Sequence, residues 1–191
     1  MLVLIWFVVK RCKWASEEPN LSYHDKEWGR PEHDDKKLFE FLILEGAQAG
    51  LSWVTILKRR EGYRKAFSNF DAKKISKYDK KQINTLLKDS SIIRNQLKIN
   101  STINNAKQFL KLQKEFGSFD KYIWSFVDNK PIKNKFKKLS DIPAKTIISE
   151  KLSKDLQKRG FSFVGPTICY ALMQAIGMVN DHTSQCFMYQ K

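Results

Sequence analysis

Four side chains able to hold a soft divalent metal stand at the two ends of this sequence: Cys12 and His24 near the start, His182 and Cys186 near the finish. The whole chain has only three His and three Cys, so their gathering into two clusters is informative. Two thiolates and two imidazoles make a tetrahedral set for Zn²⁺. His182 and Cys186 are four positions apart, a spacing that one helical turn would place on a single face. The looser spacing of Cys12 and His24 suits ligands carried on loops. With all four positions filled by protein, no coordination site is left for water or substrate, so such a zinc would be structural, one per chain, clasping the two termini. The competing reading is ordinary packing of scattered His and Cys. Cys169, on an apolar helix, reads as core, and His33 as a solvent-facing residue ahead of a helix.

Glu45 is the second residue of interest, because it follows the apolar run Phe41 to Leu44. A carboxylate there either ends a helix at the surface or is buried for a purpose. Trp14, Tyr23, Trp28 and Trp53 all lie within the first 53 residues. Aromatic walls around one carboxylate would suit a flat cationic ring, held by π faces and by Coulomb attraction. The alternative is that these aromatics are simply core.

The elements that must position these groups read as helices. Asp34 or Asp35 can cap a helix through "KKLFEFLILEG", and Ser52 opens another, "WVTILKRREGYRKAF", with Trp53, Ile56, Leu57 and Ala66 inward. Asp71 and Asp79 can cap two short helices, and a long one is expected from about Asn95 to Phe116, with Ile99, Ile103, Ala106 and Leu110 on one face. "FDKYIWSFV" is expected as a short helix or turn of core aromatics. Residues 128–148, with six lysines and two prolines, read as a basic surface loop without regular structure. Ser149 is the expected cap of a helix that stops at Gly160, and Gly165-Pro166 starts the next, which Gly177 ends. The turn between them, "GFSFVG", would present backbone N–H groups where phosphate binds well; an ordinary αα-hairpin is the plain alternative.

The chain has 191 residues and 42% hydrophobic composition, enough for one domain with a core that needs no disulfides. Unpaired cysteines fit a reduced, cytoplasmic setting. Thirty-five Lys and Arg against twenty Asp and Glu leave a formal charge of +15, which suits a polyanionic partner through counterion release, or merely a lysine-rich solvated surface. The opening "MLVLIWFVV" is too short to span a bilayer, which takes about 20 apolar residues. It reads as a short extension or a misplaced start, and no membrane association is expected. Residues 1–10 are accordingly set apart from a single domain over 11–191.

The blocks "RCKW", "YHDKEWG", "DDKKLFE", "LEGAQAGLSW", "IIRN", "WSFV" and "KRGFSFVGPTICYALMQAIGMVNDH", closed by Cys186, together resemble the 3-methyladenine DNA glycosylase I family, in consistent order from about Arg11 to Cys186. Ser91 and Leu97 depart from it, standing where glycines are expected. The resemblance implies an all-α helix-hairpin-helix glycosylase fold in two helical lobes, the hairpin motif falling at about 149–177. It implies base-excision repair: hydrolysis of the N-glycosidic bond of 3-methyladenine in alkylated DNA. Carried over residue by residue, it makes Cys12, His24, His182 and Cys186 the zinc ligands and Glu45 the acid of the base pocket. Tyr23, Trp53, Trp14 and Trp28 become the pocket aromatics, Gly50 and Leu51 the wedge into the duplex, and Gly160, Phe161 and Gly165 the DNA-binding hairpin. Asp181, the only acid shortly beyond the hairpin, is the rival for the catalytic role, because relatives in the wider superfamily place an aspartate there.

The expected partner is double-stranded DNA, bound without sequence preference by a monomer, with free 3-methyladenine as product and no lyase step. Two other readings remain open on sequence. One is a zinc-stabilised, non-catalytic binder of damaged DNA. The other is a glycosylase for a different alkylated purine, such as 3-methylguanine.

Overall fold

The computed structural model describes residues 9–189; most of the apolar N-terminal extension lies outside the described residues. The helices are α1 (Asn20–Lys26), α2 (Asp35–Gln48), α3 (Trp53–Ala66), α4 (Ala72–Ile75), α5 (Lys80–Lys88), α6 (Gln96–Phe116), α7 (Phe119–Trp124), α8 (Ile147–Lys158) and α9 (Pro166–Ala175). Two short strands, β1 (Ile132–Lys133) and β2 (Val179–Asn180), pair in parallel. No helix among the described residues is long and apolar enough to cross a membrane.

The centre of the fold is α2. Asp34 caps it, its carboxylate accepting from the amide of Lys37 at 2.9 Å. Every residue from Leu38 to Ala47 is buried, as expected of a helix that must meet neighbours on all sides. Those neighbours are α3, α6, α7 and α9. Asp35, in the first turn of α2, accepts from the backbone amides of Phe119 and Asp120 at 2.9 and 2.8 Å, so one carboxylate satisfies the start of α7 from across the core. The expected caps at Ser52, Asp71 and Asp79 are made by the side chains themselves, and Asn95, which precedes α6, caps it in the same way.

Several expectations require correction. Helix α1 carries His24 and was not anticipated, since seven residues with one apolar face give little periodicity. Thr146, not Ser149, caps α8; Ser149 sits three residues inside as the reciprocal partner of a capping box. The segment 128–148 is not unstructured. It contributes β1 and a single 3-10 turn at Leu139–Asp141. β1 pairs with β2 through Ile132 and Val179, and Ser184 N–H donates to Phe136 C=O at 2.8 Å. The basic loop is thereby strapped to the C-terminal segment, long-range pairing that local pattern does not reveal.

Gly177 closes this arrangement. Its φ is +73°, and a Cβ there would lie 2.2 Å from the backbone carbon of Arg30. On either side of the crossing, Gly29 N–H donates to Gln174 C=O and Glu32 N–H to Ile176 C=O, both at 3.0 Å. The Gly177→Ala variant is therefore expected to lose more than about 3 kcal/mol of stability, from left-handed strain plus a backbone clash. Equilibrium urea unfolding measures this, and a midpoint unchanged from the parent would contradict the crossing.

Candidate functional site

Two glutamates of α2 are buried, and their surroundings differ sharply. Glu40 accepts from Arg60 Nε at 2.5 Å and from Arg64 Nε at 3.0 Å, both on α3, and Arg60 also donates to Glu27. Glu45 is 4% exposed, and its side chain has no hydrogen bond or ion pair to another described residue. Burial alone pushes its carboxyl up to about 8. A carboxyl left in that state, five residues from a well-paired one on the same helix, calls for a partner from outside.

Glu45 faces a cavity of about 350 Å³. Tyr23, Trp14, Trp28 and Trp53 form aromatic walls, with Tyr23 centred 5.3 Å from Trp53 and Trp14 centred 5.0 Å from Trp28. Glu45 is the one acidic or basic side chain among the described residues lining it, although the protein as a whole carries +15. The indole N–H of Trp53 is buried with no partner. A further wall comes from the 3-10 turn region, Leu139, Ile142, Pro143 and Ala144, and another from one face of α9, Thr167, Tyr170, Ala171 and Gln174. Neither wall was anticipated. The α9 residues fall at helical spacing and could have been read as a stripe, but the loop residues gave no local signal.

Asp181 does not line this cavity. It is fully buried and accepts three hydrogen bonds: from Tyr170 Oη at 2.6 Å, Gln174 Nε2 at 2.8 Å and Asn134 Nδ2 at 2.6 Å. Tyr170 and Gln174 do line the cavity, so Asp181 orients two wall residues from behind. Because the carboxylate takes the hydroxyl proton of Tyr170 and an amide proton of Gln174, the Tyr170 oxygen and Gln174 Oε1 are left as acceptors.

Next to the aromatic walls, Cys12, His24 and Cys186 place one donor atom each within 4.8 Å of one another, all buried. His24 Nε2 lies 3.3 Å from Cys186 Sγ, while its Nδ1 meets Asp25 Oδ1 at 2.8 Å. Asp25 is itself gripped by Arg11, through Nε at 3.0 Å and an Nη at 2.8 Å. A carboxylate on Nδ1 fixes the tautomer that leaves Nε2 free to bind a metal. His182 lies beside this group, its ring centred 4.7 Å from that of His24, and neither of its buried ring nitrogens has a partner. Burial first, then the neighbouring His24 and Arg30, hold it down to about 4, so its imidazole is neutral at pH 7. Burial likewise pushes the Cys12 thiol up to about 11. Orphaned imidazole nitrogens and desolvated thiols in contact are what a bound cation would satisfy, and the donor set fits a soft divalent ion. The expected helical turn from His182 to Cys186 is absent; the segment is a loop in which Cys186 N–H donates to Thr183 C=O at 2.7 Å.

The cluster touches the aromatic cavity directly. Trp14 meets the His24 ring edge-on at 5.3 Å, and Trp28 lies 4.6 Å from the His182 ring.

Gly50 and Leu51 follow α2. Gly50 has φ +76° with open space around it, and Leu51 is 38% exposed beside a groove continuous with Glu45 and Gln48. Lys98, which the sequence reading passed over, donates to the carbonyls of Ala47 and Ala49 at 2.8 and 2.7 Å and fixes this corner. In the turn between α8 and α9, Gly160 has φ +86° and Gly165 stands in open space. Phe161 is 4% exposed, and its ring belongs to the core beneath the turn.

The family model described as Methyladenine glycosylase matches residues 14–189. A DNA-3-methyladenine glycosylase of Haemophilus influenzae is 50% identical over 177 residues, 92% of this chain and 96% of that protein. A crystal structure of 3-methyladenine DNA glycosylase I, 48% identical, superposes with a TM-score of 0.91 and covers 93% of this chain and 98% of that one. A structure of a variant of 3-methyladenine DNA glycosylase I in complex with 3-methyladenine is 35% identical, with a TM-score of 0.91, covering 95% and 98%.

Proposed function

The chain belongs to the methyladenine glycosylase family, and on that premise we propose that it hydrolyses the N-glycosidic bond of 3-methyladenine in alkylated double-stranded DNA. The observation that carries the reading is the buried carboxyl of Glu45, unpartnered among the described residues, in an aromatic cavity where they place no other charge.

Methylation at N3 gives the attached adenine a positive charge. Unmodified adenine is neutral and gains nothing from Glu45. Extruding a nucleotide costs a few kcal/mol, and attraction between the alkylated ring, the carboxylate and the indole faces offsets that cost only for the damaged base. Leu51, exposed next to Gly50, whose φ is +76°, is suited to fill the gap in the stack. The N9–C1′ bond then breaks with its electron pair passing to the base, which leaves neutral. Water adds to the cationic sugar carbon and loses a proton, giving an abasic site and free 3-methyladenine.

Since the leaving group is already activated, Glu45 acts by capture and orientation more than by proton transfer. No lyase step is part of this reading, because a base that is already an activated leaving group needs no amine nucleophile. One chain holds the whole cavity and both halves of the terminal cluster, so a monomer suffices. The backbone between Gly160 and Gly165 and the surrounding lysines suit sequence-independent phosphate contacts. Zn²⁺ is the ion that Cys12, His24, His182 and Cys186 would hold, and its part would be structural. Three unpaired cysteines suit a reducing compartment such as the cytoplasm.

The direct test is chromatography of bases released from methylated genomic DNA. 3-Methyladenine should predominate. Release of 3-methylguanine as the main product would transfer the substrate, and no release at all would leave only a damage binder.

Asp181 is assigned to positioning. The Asp181→Asn variant should lose about 2–4 kcal/mol of stability, because a three-donor buried acceptor becomes a mixed donor and acceptor. Its folded fraction should keep excision within about tenfold of the parent, since no contact with the base is lost. An Asn variant of full stability with excision abolished would restore Asp181 as the acid.

A further inference from the structure

A second cavity, of about 390 Å³, adjoins the aromatic one and shares Trp14, Leu139 and Ile142 with it. Its other lining is strongly cationic. Lys10, Arg11 and Lys13 come from the N-terminal segment, and Lys137 and Lys138 from the segment that enters the 3-10 turn at Leu139–Asp141. No acidic side chain lines it among the described residues. Arg11 is committed to Asp25, but the four lysines are exposed and have no ion-pair partner among the described residues. The nearest acid in sequence, Asp141, has one carboxylate oxygen occupied by the amides of Lys137 and Lys138, at 3.3 and 3.0 Å. That carboxylate shapes the turn.

Charges of one sign lining a cleft focus the potential there and raise the local concentration of anions. The position of the cavity selects the anion. A nucleotide whose base enters the aromatic cavity brings its sugar to the mouth, and the phosphates on either side of that sugar must lie within a residue or two of the walls. Leu139 and Ile142 form part of both cavities, while Lys137 and Lys138 precede them directly. One short turn thus offers apolar side chains to the base and lysines to its backbone.

We propose that this basic cavity binds the phosphodiester backbone of the damaged strand beside the extruded nucleotide, with Lys10, Lys13, Lys137 and Lys138 as its contacts. The proposal rests on the glycosylase reading and adds a DNA contact separate from the hairpin and from Leu51. It also gives the basic segment 128–148 a purpose beyond connection.

The test compares two triple variants of equal charge. One is Lys13→Gln, Lys137→Gln and Lys138→Gln. The control is Lys73→Gln, Lys80→Gln and Lys81→Gln, at exposed lysines of α4 and α5. Binding to a duplex carrying a stable abasic-site analogue is measured across salt concentrations. Each lost phosphate contact lowers the slope of log affinity against log salt by about 0.9. The cavity variant should therefore lose roughly two to three units of slope, with affinity at low salt falling about 10- to 100-fold, and the control should lose less than one. A difference between the two variants of less than about one unit overturns the proposal.

Both variants should retain parental affinity for free 3-methyladenine, read by tryptophan fluorescence. If the parent protein itself fails to bind that base, the glycosylase reading falls. The slope comparison still decides the cavity.

Discussion

Replacing Glu45 with Gln is expected to lower kcat/KM for 3-methyladenine excision by roughly 30- to 150-fold while leaving the fold intact. Opposite charges about 4 Å apart attract by about 4 kcal/mol at an effective dielectric near 20, and part of that is spent on desolvation, leaving about 2–3 kcal/mol. The amide keeps the shape and some hydrogen bonding but not the attraction to the cation. The loss falls on capture and extrusion, because the base becomes neutral as the bond breaks and the attraction fades with it. Single-turnover excision at limiting and saturating enzyme separates these stages. Undiminished excision at both would remove Glu45 from the mechanism.

The pH dependence gives an independent readout. The attached 3-methyladenine is a fixed cation, so only the protein titrates. Burial raises the Glu45 carboxyl to about 8, so the free enzyme gains its negative charge as pH rises toward that value. For the parent, kcat/KM should rise with pH, reach half its limit near pH 8 and level off above it, while the Gln variant lacks that rise. Stability should move in the opposite sense. A folded-state pKa above the unfolded one means that the folded chain holds the proton more tightly. The parent therefore loses stability as pH rises from about 4.3 toward 8, and the Gln variant is spared that loss. A variant that is slower yet more stable at pH 8 is what a carboxylate kept for function predicts.

Breaking the terminal cluster should have the largest effect on the folded state. Zinc bound by Cys12, His24, His182 and Cys186 would close nearly the whole chain into one loop. Restraint of that length is worth about 5 kcal/mol by the loop-entropy argument used for disulfides. At about 2–4 °C per kcal/mol for a chain of this size, Cys186→Ser or exhaustive chelation should lower the melting temperature by roughly 10–20 °C. Affinity for free 3-methyladenine should fall as well, because Trp14 and Trp28 rest against the rings of His24 and His182. Elemental analysis of untagged protein should find one zinc per chain, lost together with Cys186. Metal-free protein that melts at the parental temperature and still binds the base would exclude the clasp.

What could be read along the chain was whatever short-range physics decides. The apolar run around α2, the caps at Asp34, Ser52, Asp71 and Asp79, and the glycine-bounded turn before α9 are local, and the structure has them. The scarcity of His and Cys singled out both ends of the chain, and an acid after four apolar residues singled out Glu45. None of this could say whether Glu45 is buried or whether Arg60 reaches it, since that depends on which face of α3 meets α2. Arg60 pairs with Glu40 and leaves Glu45 unpartnered. The fate of Phe161, the role of Asp181 behind Tyr170 and Gln174, and the wall built from Leu139 to Ala144 were likewise decided by contacts between residues far apart in sequence. Residue types and spacing therefore determined the kind of chemistry available. Tertiary packing decided which charges are neutralised and which are left for a ligand, because desolvation and pairing depend on three-dimensional neighbours that no local pattern encodes.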